Sequence, residues 1–429
     1  MKMRHINWTV AVWLLTSWAG AEARTFRAVG VCPIRAEETR EDAARIALID
    51  ASDTVREQVA ACLDSLGGDG AGYSREELRA FVAGLVEVRR GRVSEAQDSA
   101  FVEGMCEVDP QTLLNRIGEM RRNPALRRDM VLAWAETDQL RTLLSEKSDT
   151  LSLIAGKEER EGVARQRREA LTNLEAKALL TRARVTFETA PLQARALVDS
   201  ALAIAPRNAE AHLQRGILQH EAGDLDGAIS EYRLALGIVP HDASIRFNLA
   251  SAYREKGNLD SAIVEYRRLL QVPTRDPEIP YQLATALKDR GNLDSAIVEY
   301  RETLRIAPGH LQARADLGTA LHLAGNLDSA VVEYRRVLHA DSNDVRIRYN
   351  LGTALKELRR TDEAIEAFQK VLQINPNLAD AHFNLGAALA AKGDRPGTLR
   401  EMRAFLRLSR DEQQKEQARE VIRAYGGIP

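Results

Sequence analysis

Gly257-Asn258-Leu259-Asp260-Ser261-Ala262-Ile263-Val264-Glu265-Tyr266 returns unchanged at Gly291 to Tyr300, and once more at Gly325 to Tyr334 with Val331 in the slot of Ile263. The step is 34 residues each time. Aligning on the leading glycine extends the register to Gly223 and Gly393, with Arg359 in the fifth slot. Five residues on stand Ala228, Ala262, Ala296, Ala330 and Ala364; four further on stand Tyr232, Tyr266, Tyr300, Tyr334 and Phe368. Upstream of each glycine, Leu249, Leu283, Leu317, Leu351 and Leu385 precede Ala250, Ala284, Gly318, Gly352 and Gly386. A glycine after a helix takes the left-handed conformation that ends it. The small residues let two helix backbones approach, and the aromatic fills the groove towards the next copy.

A period of 34 residues with these positions resembles the tetratricopeptide (TPR) repeat, a helix–turn–helix unit. The resemblance implies a mainly α protein built as a TPR superhelix, an α-solenoid whose units are stable only when stacked. It covers residues 173–410: a degenerate leading unit, in which Ala194, Ala201 and Pro206 keep phase, and six further units. The sixth is irregular, with Pro396 and with Thr398 in the alanine slot. Residues 411–429 read as a polar capping helix.

At 429 residues the chain is long enough for two or three folded units. It is 45% hydrophobic and 28% charged, which excludes wholesale disorder. A net charge of −2 gives no global attraction to nucleic acid or to a membrane surface. Residues 1–23 read as a signal peptide: Lys2 and Arg4, an apolar run from Val10 to Trp18, then Ala21-Glu22-Ala23 with cleavage expected after Ala23. The alternative is an N-terminal anchor, but the run is short for a span. A periplasmic or secreted protein is expected.

Residues 24–125 read as a small α+β domain. Thr25 to Ile34 forms a strand with Phe26, Ala28, Gly30 and Cys32 on one face, and Glu41 to Leu66 an amphipathic helix. Leu78 to Val93 and Ala100 to Val108 read as a hairpin turning near Gln97-Asp98-Ser99, and Asp109-Pro110 opens another helix. If the first crossover is parallel and right-handed, Cys62 and Cys106 are the pair placed to form a disulfide. The alternative is that all three cysteines, Cys32 included, are small buried hydrophobes. The order of Ala28-Val29-Gly30-Val31, the helix holding Ala43 to Ala51, and Val108-Asp109-Pro110 resembles the N-terminal domain of flagellar assembly T proteins. That resemblance implies an envelope location and an assembly role. Gly68-Asp69-Gly70-Ala71-Gly72 lacks the Lys-Ser/Thr ending of a phosphate loop and reads as a connector. Residues 126–172, with Leu126, Met130, Trp134, Leu140, Leu143, Leu144, Leu151 and Ile154, suit a helical hairpin or short coiled-coil arm. The mixed charges from Lys157 to Arg168 read as a solvated face.

Function is sought on the first helices. The residue before the Leu slot is Gln214, Asn248, Gln282, Asp316, Asn350 and Asn384 in successive units. All accept hydrogen bonds and all but Asp316 also donate, as gripping an extended peptide backbone requires. The row resembles the asparagine ladder of the TPR groove in O-linked N-acetylglucosamine transferases, which carries over to Asn248, Asn350 and Asn384. Phe247, Tyr281, Tyr349 and Phe383 stand one residue earlier; Arg254, Lys288, His322 and Lys356 stand six later. Amide, aromatic and basic rows together suit an extended, partly acidic peptide; the alternative is edge packing and ordinary solvated helix ends. Of eight histidines, His212 and His382 share one slot, which reads as packing. No HExxH, CxxC, GxSxG or P-loop pattern occurs. The expectation is a non-enzymatic scaffold without cofactor or metal, binding a protein or peptide in the cell envelope. The alternative is an accessory subunit of an envelope secretion, polysaccharide-export or outer-membrane assembly machine.

Overall fold

The computed structural model describes residues 24–33, 39–67, 75–96, 99–153, 156–272 and 275–428. The signal-peptide reading at 1–23, the connector Gly68 to Gly72, the turn residues Gln97 and Asp98, and Ile154 lie outside them, as do the side chains of Leu126 and Leu151. The chain divides into two compact units, Met1–Pro240 and His241–Pro429.

In the first unit, β1 (Arg24–Pro33) alternates its side chains so that Ala28, Gly30 and Cys32 face inward. Helix α1 (Arg40–Gly67) lies directly on them through Ala43, Ala47 and Ala51, each fully buried. The approach is so close that a Cβ on Gly30 would stand 1.8 Å from the carbonyl oxygen of Ala47. The expected strand at Leu78 to Val93 is a helix followed by a strand. Helix α2 (Arg75–Leu85) places Leu78, Phe81, Val82 and Leu85 at helical spacing, and the first three are buried with Val55, Val59 and Leu63 of α1. Strand β2 (Arg89–Ala96) then begins where that periodicity ends, and β3 (Ser99–Val108) follows. The sheet order is β1-β3-β2, with β3 in the centre and antiparallel to both neighbours.

The expected parallel neighbour of β1 is therefore wrong, and the Cys62–Cys106 bridge derived from it does not form. No cysteine is in a disulfide among the described residues. Cys106, on β3, stands opposite Phe26 of β1 and sits in the core, where burial pushes its thiol up to about 11. Cys32 is buried as well, in the core beside Ala43 and Ala47, while Cys62 is only half-buried.

Pro110 opens α3 (Pro110–Arg121) at its first position, as read. Helices α4 (Pro124–Leu153) and α5 (Lys157–Thr186) form the expected hairpin. Leu144 meets Leu171 while Glu136 meets Lys177, so the two run antiparallel. Met130 and Leu144 are buried, but Leu143 is exposed. The boundary set at 172 falls inside α5: the helix continues because its second half packs on α6 (Pro191–Ile204) as the first helix of the degenerate leading repeat, through Leu180, Ala183, Ala194, Val198 and Ala201. Helices α7 (Ala209–Glu221) and α8 (Leu225–Ile238) make the first regular repeat.

The second unit stacks five helix pairs: α9 (Ala243–Glu255) with α10 (Leu259–Leu269), α11 (Glu278–Asp289) with α12 (Leu293–Ile306), α13 (Leu311–Leu323) with α14 (Leu327–Ala340), α15 (Val345–Glu357) with α16 (Thr361–Ile374), and α17 (Ala379–Lys392) with α18 (Arg395–Leu408). Tyr266, Tyr300, Tyr334, Phe368 and Phe405 are all fully buried in it. Helix α19 (Glu412–Ala424) closes the stack, covering Met402 and Phe405 with Ala418 and Ile422, flanked by Val421. Thr398 departs from alanine because its hydroxyl donates to Asp394 O at 2.8 Å.

Each helix pair turns in one way. The N–H groups of Asn258, Asn292 and Asn326 reach back to Tyr253, Leu287 and Leu321, each at 2.8 Å. The preceding glycines have φ of 82°, 89° and 77°. Arg359 is held at φ 56°, the sole non-glycine with positive φ among the described residues. A side chain there costs about 1 kcal/mol. Arg359→Gly should therefore raise stability by about that amount, read as a higher melting temperature; a fall would contradict the turn geometry.

A second contact ties the helices within four of the six regular pairs. Glu231, Glu265, Glu333 and Glu401 accept from His212, Arg246, Arg314 and His382 at 2.7, 2.7, 2.9 and 2.6 Å. Pro280 holds this slot on α11, so Glu299 lacks that partner. Burial pushes its carboxyl above the usual range, Glu302 adds to this, and Arg267 opposes it. A raised carboxyl contributes stability that is whole below its ordinary pKa of 4.5 and is lost as pH rises through the raised value. Pro280→Arg supplies the missing cation and should add about 1 kcal/mol at pH 7. The gain should shrink at pH 4, where Glu299 is protonated; thermal melts at the two pH values showing equal gains would contradict the pairing.

Candidate functional site

The first helices of the second unit, α9, α11, α13, α15 and α17, touch one another in series. Asn248, Gln282, Asn350 and Asn384 stand at one level on these helices, half-buried, and Asp316 is buried. The structure thus brings four of the five expected amides onto one continuous face. Gln214 belongs to the other unit, on α7, where it donates to Glu210 at 3.3 Å.

The aromatic row is packing first. Phe247, Tyr281, Tyr349 and Phe383 each lean on the buried ring of their own repeat, at 5.8 Å to Tyr266, 6.0 Å to Tyr300, 5.8 Å to Phe368 and 5.1 Å to Phe405. The two tyrosines do more, because their hydroxyls reach the next repeat. Tyr281 donates to Asp316 at 2.9 Å, and Asn384 donates to Tyr349 at 2.7 Å. Burial pushes the Tyr281 hydroxyl up to about 12, and the Asp316 charge adds to it. Asp316 also accepts from Gln312 at 3.0 Å, so this carboxylate is a buried strut between repeats.

The basic row is engaged as well. Lys356 donates to Asn384, His322 contacts Glu357 at 3.1 Å, Lys288 lies 3.9 Å from Asp289, and the Arg254 charge acts on the Tyr266 hydroxyl. Asn384 is accordingly fastened on both sides: its carbonyl by Lys356, its amino group by Tyr349 and by Asp380 O at 3.0 Å. This interlock was not read from the sequence. Its signal is a pair of separations, 35 and 28 residues, that bracket the repeat length and bring Tyr349 and Lys356 to one amide.

Open hydrogen-bonding capacity is what remains. The Asn248 amino group donates to Ser244 O and that of Gln282 to Glu278, and among the described residues each carbonyl oxygen is left unengaged. Asn350 makes no side-chain hydrogen bond among the described residues, so both its donor and its acceptor are available. His212 and His382, by contrast, have both ring nitrogens occupied, by Glu231 and Pro206 O and by Glu401 and Pro376 O. No cluster of three metal-binding side chains occurs among the described residues, and no helix of theirs is long and apolar enough to cross a membrane.

Three tetratricopeptide-repeat family models match the chain, over residues 191–243, over 219–287 and 287–355, and over 357–393. No curated protein matches it. Among solved structures it is similar to YrrB, described as a TPR protein with an unusual peptide-binding site, at 20% identity, covering 46% of this chain and 97% of that one with a TM-score of 0.40. It is also similar to MamA from Desulfovibrio magneticus RS-1, at 23% identity over 42% of this chain and 97% of that one, with a TM-score of 0.37. Family matches, helix pairing and the 34-residue turn agree: the chain carries tetratricopeptide repeats, matched by the family models between residues 191 and 393.

Proposed function

We propose that the chain is an exported, non-enzymatic adaptor that holds an extended, partly acidic segment of a protein partner in the cell envelope. The carrying observation is Asn350. It lies half-buried on the first-helix face with its amide unengaged, between Tyr349 and Lys356, and with Asn248 at the same level two repeats before Asp316. A strand-like peptide offers a carbonyl and an N–H to the same neighbour, and a carboxamide answers both. Arg254, Lys288 and Lys356 give the face a positive edge that favours acidic side chains in the ligand. Export rests on the leader reading at residues 1–23, and the envelope role on the resemblance of residues 24–125.

The test uses fluorescein-labelled decapeptides rich in Asp and Glu, with affinity read by anisotropy. Asn248→Ala combined with Asn350→Ala removes two amides worth about 0.5–1.5 kcal/mol each, so the best-binding peptide should weaken by about tenfold or more. Helicity should stay unchanged. Equal affinity in the double variant would refute the assignment of this face. Export is checked separately by the intact mass of the protein in a periplasmic fraction: a chain beginning at Arg24 is expected, and retention of residues 1–23 would overturn that reading.

A further inference from the structure

A half-open cavity of about 300 Å³ lies within the first unit, lined by α1, α2, α4 and α5 with Ile204 at its edge. Most of its wall is apolar, made by side chains such as Leu48, Ile49, Met130, Trp134, Leu174 and Leu179. Four arginines also reach it, and two of them share a single carboxylate. Arg45 is answered by Glu175, and Arg182 by Glu87 at 2.9 Å. Arg56 and Arg141 share one carboxylate, and indeed one oxygen: Asp53 Oδ1 lies 3.5 Å from the first and 2.6 Å from the second. Within this group two guanidinium groups face one carboxylate, in side chains only 16% and 19% exposed.

The Nε atoms of Arg56 and Arg141 are both buried and make no hydrogen bond among the described residues. A buried donor left unmade is costly, and two of them beside an apolar hollow mark a place shaped for an acceptor. Arg141 is fixed there by stacking over Trp134, its guanidinium 4.8 Å from the ring centre. Burial lowers the pKa of Arg56 and raises that of Asp53, while the opposite charge of the partner opposes each shift.

We infer that this cavity is a binding site for an apolar monoanion, a medium-chain carboxylate whose head group joins Arg56 and Arg141 while its tail fills the hollow. The guanidinium fork suits a carboxylate. Two guanidinium groups facing one carboxylate suit one further negative charge. The volume is about twice that of a cavity that takes benzene, which fits a body of about ten heavy atoms. Nothing in this inference depends on the peptide-binding face, which lies in the other unit.

The probe is octanoate, titrated calorimetrically into the full chain, with octanol as its neutral counterpart. Octanoate should bind saturably, and octanol about tenfold more weakly or less, since the charged head group carries the difference. Arg141→Met keeps the apolar stem and leaves Arg56 and Asp53 as a balanced pair; it should reduce octanoate affinity about tenfold. Ala133→Phe, from a wall position that is 3% exposed, fills the hollow without touching the arginines and should abolish binding. Octanol binding as tightly as octanoate, no saturable octanoate binding, or undiminished binding in a folded Ala133→Phe variant would each overturn the proposal.

Discussion

Tyr300→Ala should destabilise the second unit by about 3–5 kcal/mol, the range for removing a large buried ring. Tyr300 is fully buried, packs among Leu283, Ala284, Ala296 and Leu317, and meets Tyr281 at 6.0 Å. Its loss opens a cavity between the third and fourth regular repeats, in mid-stack. Because each repeat is held by its neighbours, the damage should stay local, and the chemical unfolding curve should broaden or split. Tyr300→Phe keeps the ring and removes only the hydroxyl contact to Thr285 at 3.2 Å, a loss of about 1 kcal/mol.

The same pair of variants has a pH signature. Burial raises the Tyr300 pKa far above its ordinary 10.0, the Thr285 bond opposes this, and Asp316 adds to it. A raised acid contributes stability that is whole below the ordinary value and is lost as pH rises through the shifted one. Between pH 10 and 12 the native protein should therefore lose melting temperature faster than Tyr300→Phe. Parallel losses would show that another group titrates instead.

Gly30→Ala should cost the first unit about 3 kcal/mol. The added Cβ would lie 1.8 Å from Ala47 O and 2.7 Å from Ala51 N, both backbone atoms of α1. Neither can rotate away, so the helix must lift from the sheet along its alanine face. Gly162→Ala is the matched control: on α5 its Cβ meets nothing within 4 Å, and the better helix former should add about 0.5–1 kcal/mol. Opposite signs for one chemical change isolate the close approach as the cause. Two losses of equal size would mean that α1 and β1 are not packed as described.

What was legible in the sequence follows from how each element is specified. The repeats could be read because the turn, the small residue and the aromatic recur in phase, and each has a local physical reason. Even Arg359 takes the backbone of the glycines it replaces. Strand β1 and helix α1 were found within two residues. Helix α2 was missed because Leu85, Val86 and Val88 form an apolar run resembling a strand, although Leu78, Phe81, Val82 and Leu85 already had helical spacing. The misread cysteine pair follows from topology: the middle place of β3 is set by long-range pairing that no local pattern states. On the candidate face the amide slots were visible, but their occupancy was not. Whether Asn384 or Asn350 is open to a ligand depends on how far Tyr349 and Lys356 reach into the next repeat, a property of stacking geometry.

The central claim is that the first-helix face around Asn350 receives an extended peptide. The most direct measurement is a crystal structure of the protein with the tightest-binding acidic decapeptide. The account predicts a peptide main chain within hydrogen-bonding distance of both the amino and the carbonyl group of Asn350, with acidic side chains towards Lys288 or Lys356. A peptide seated instead on the second helices, over the exposed Val264, Val298 and Val332, would contradict it.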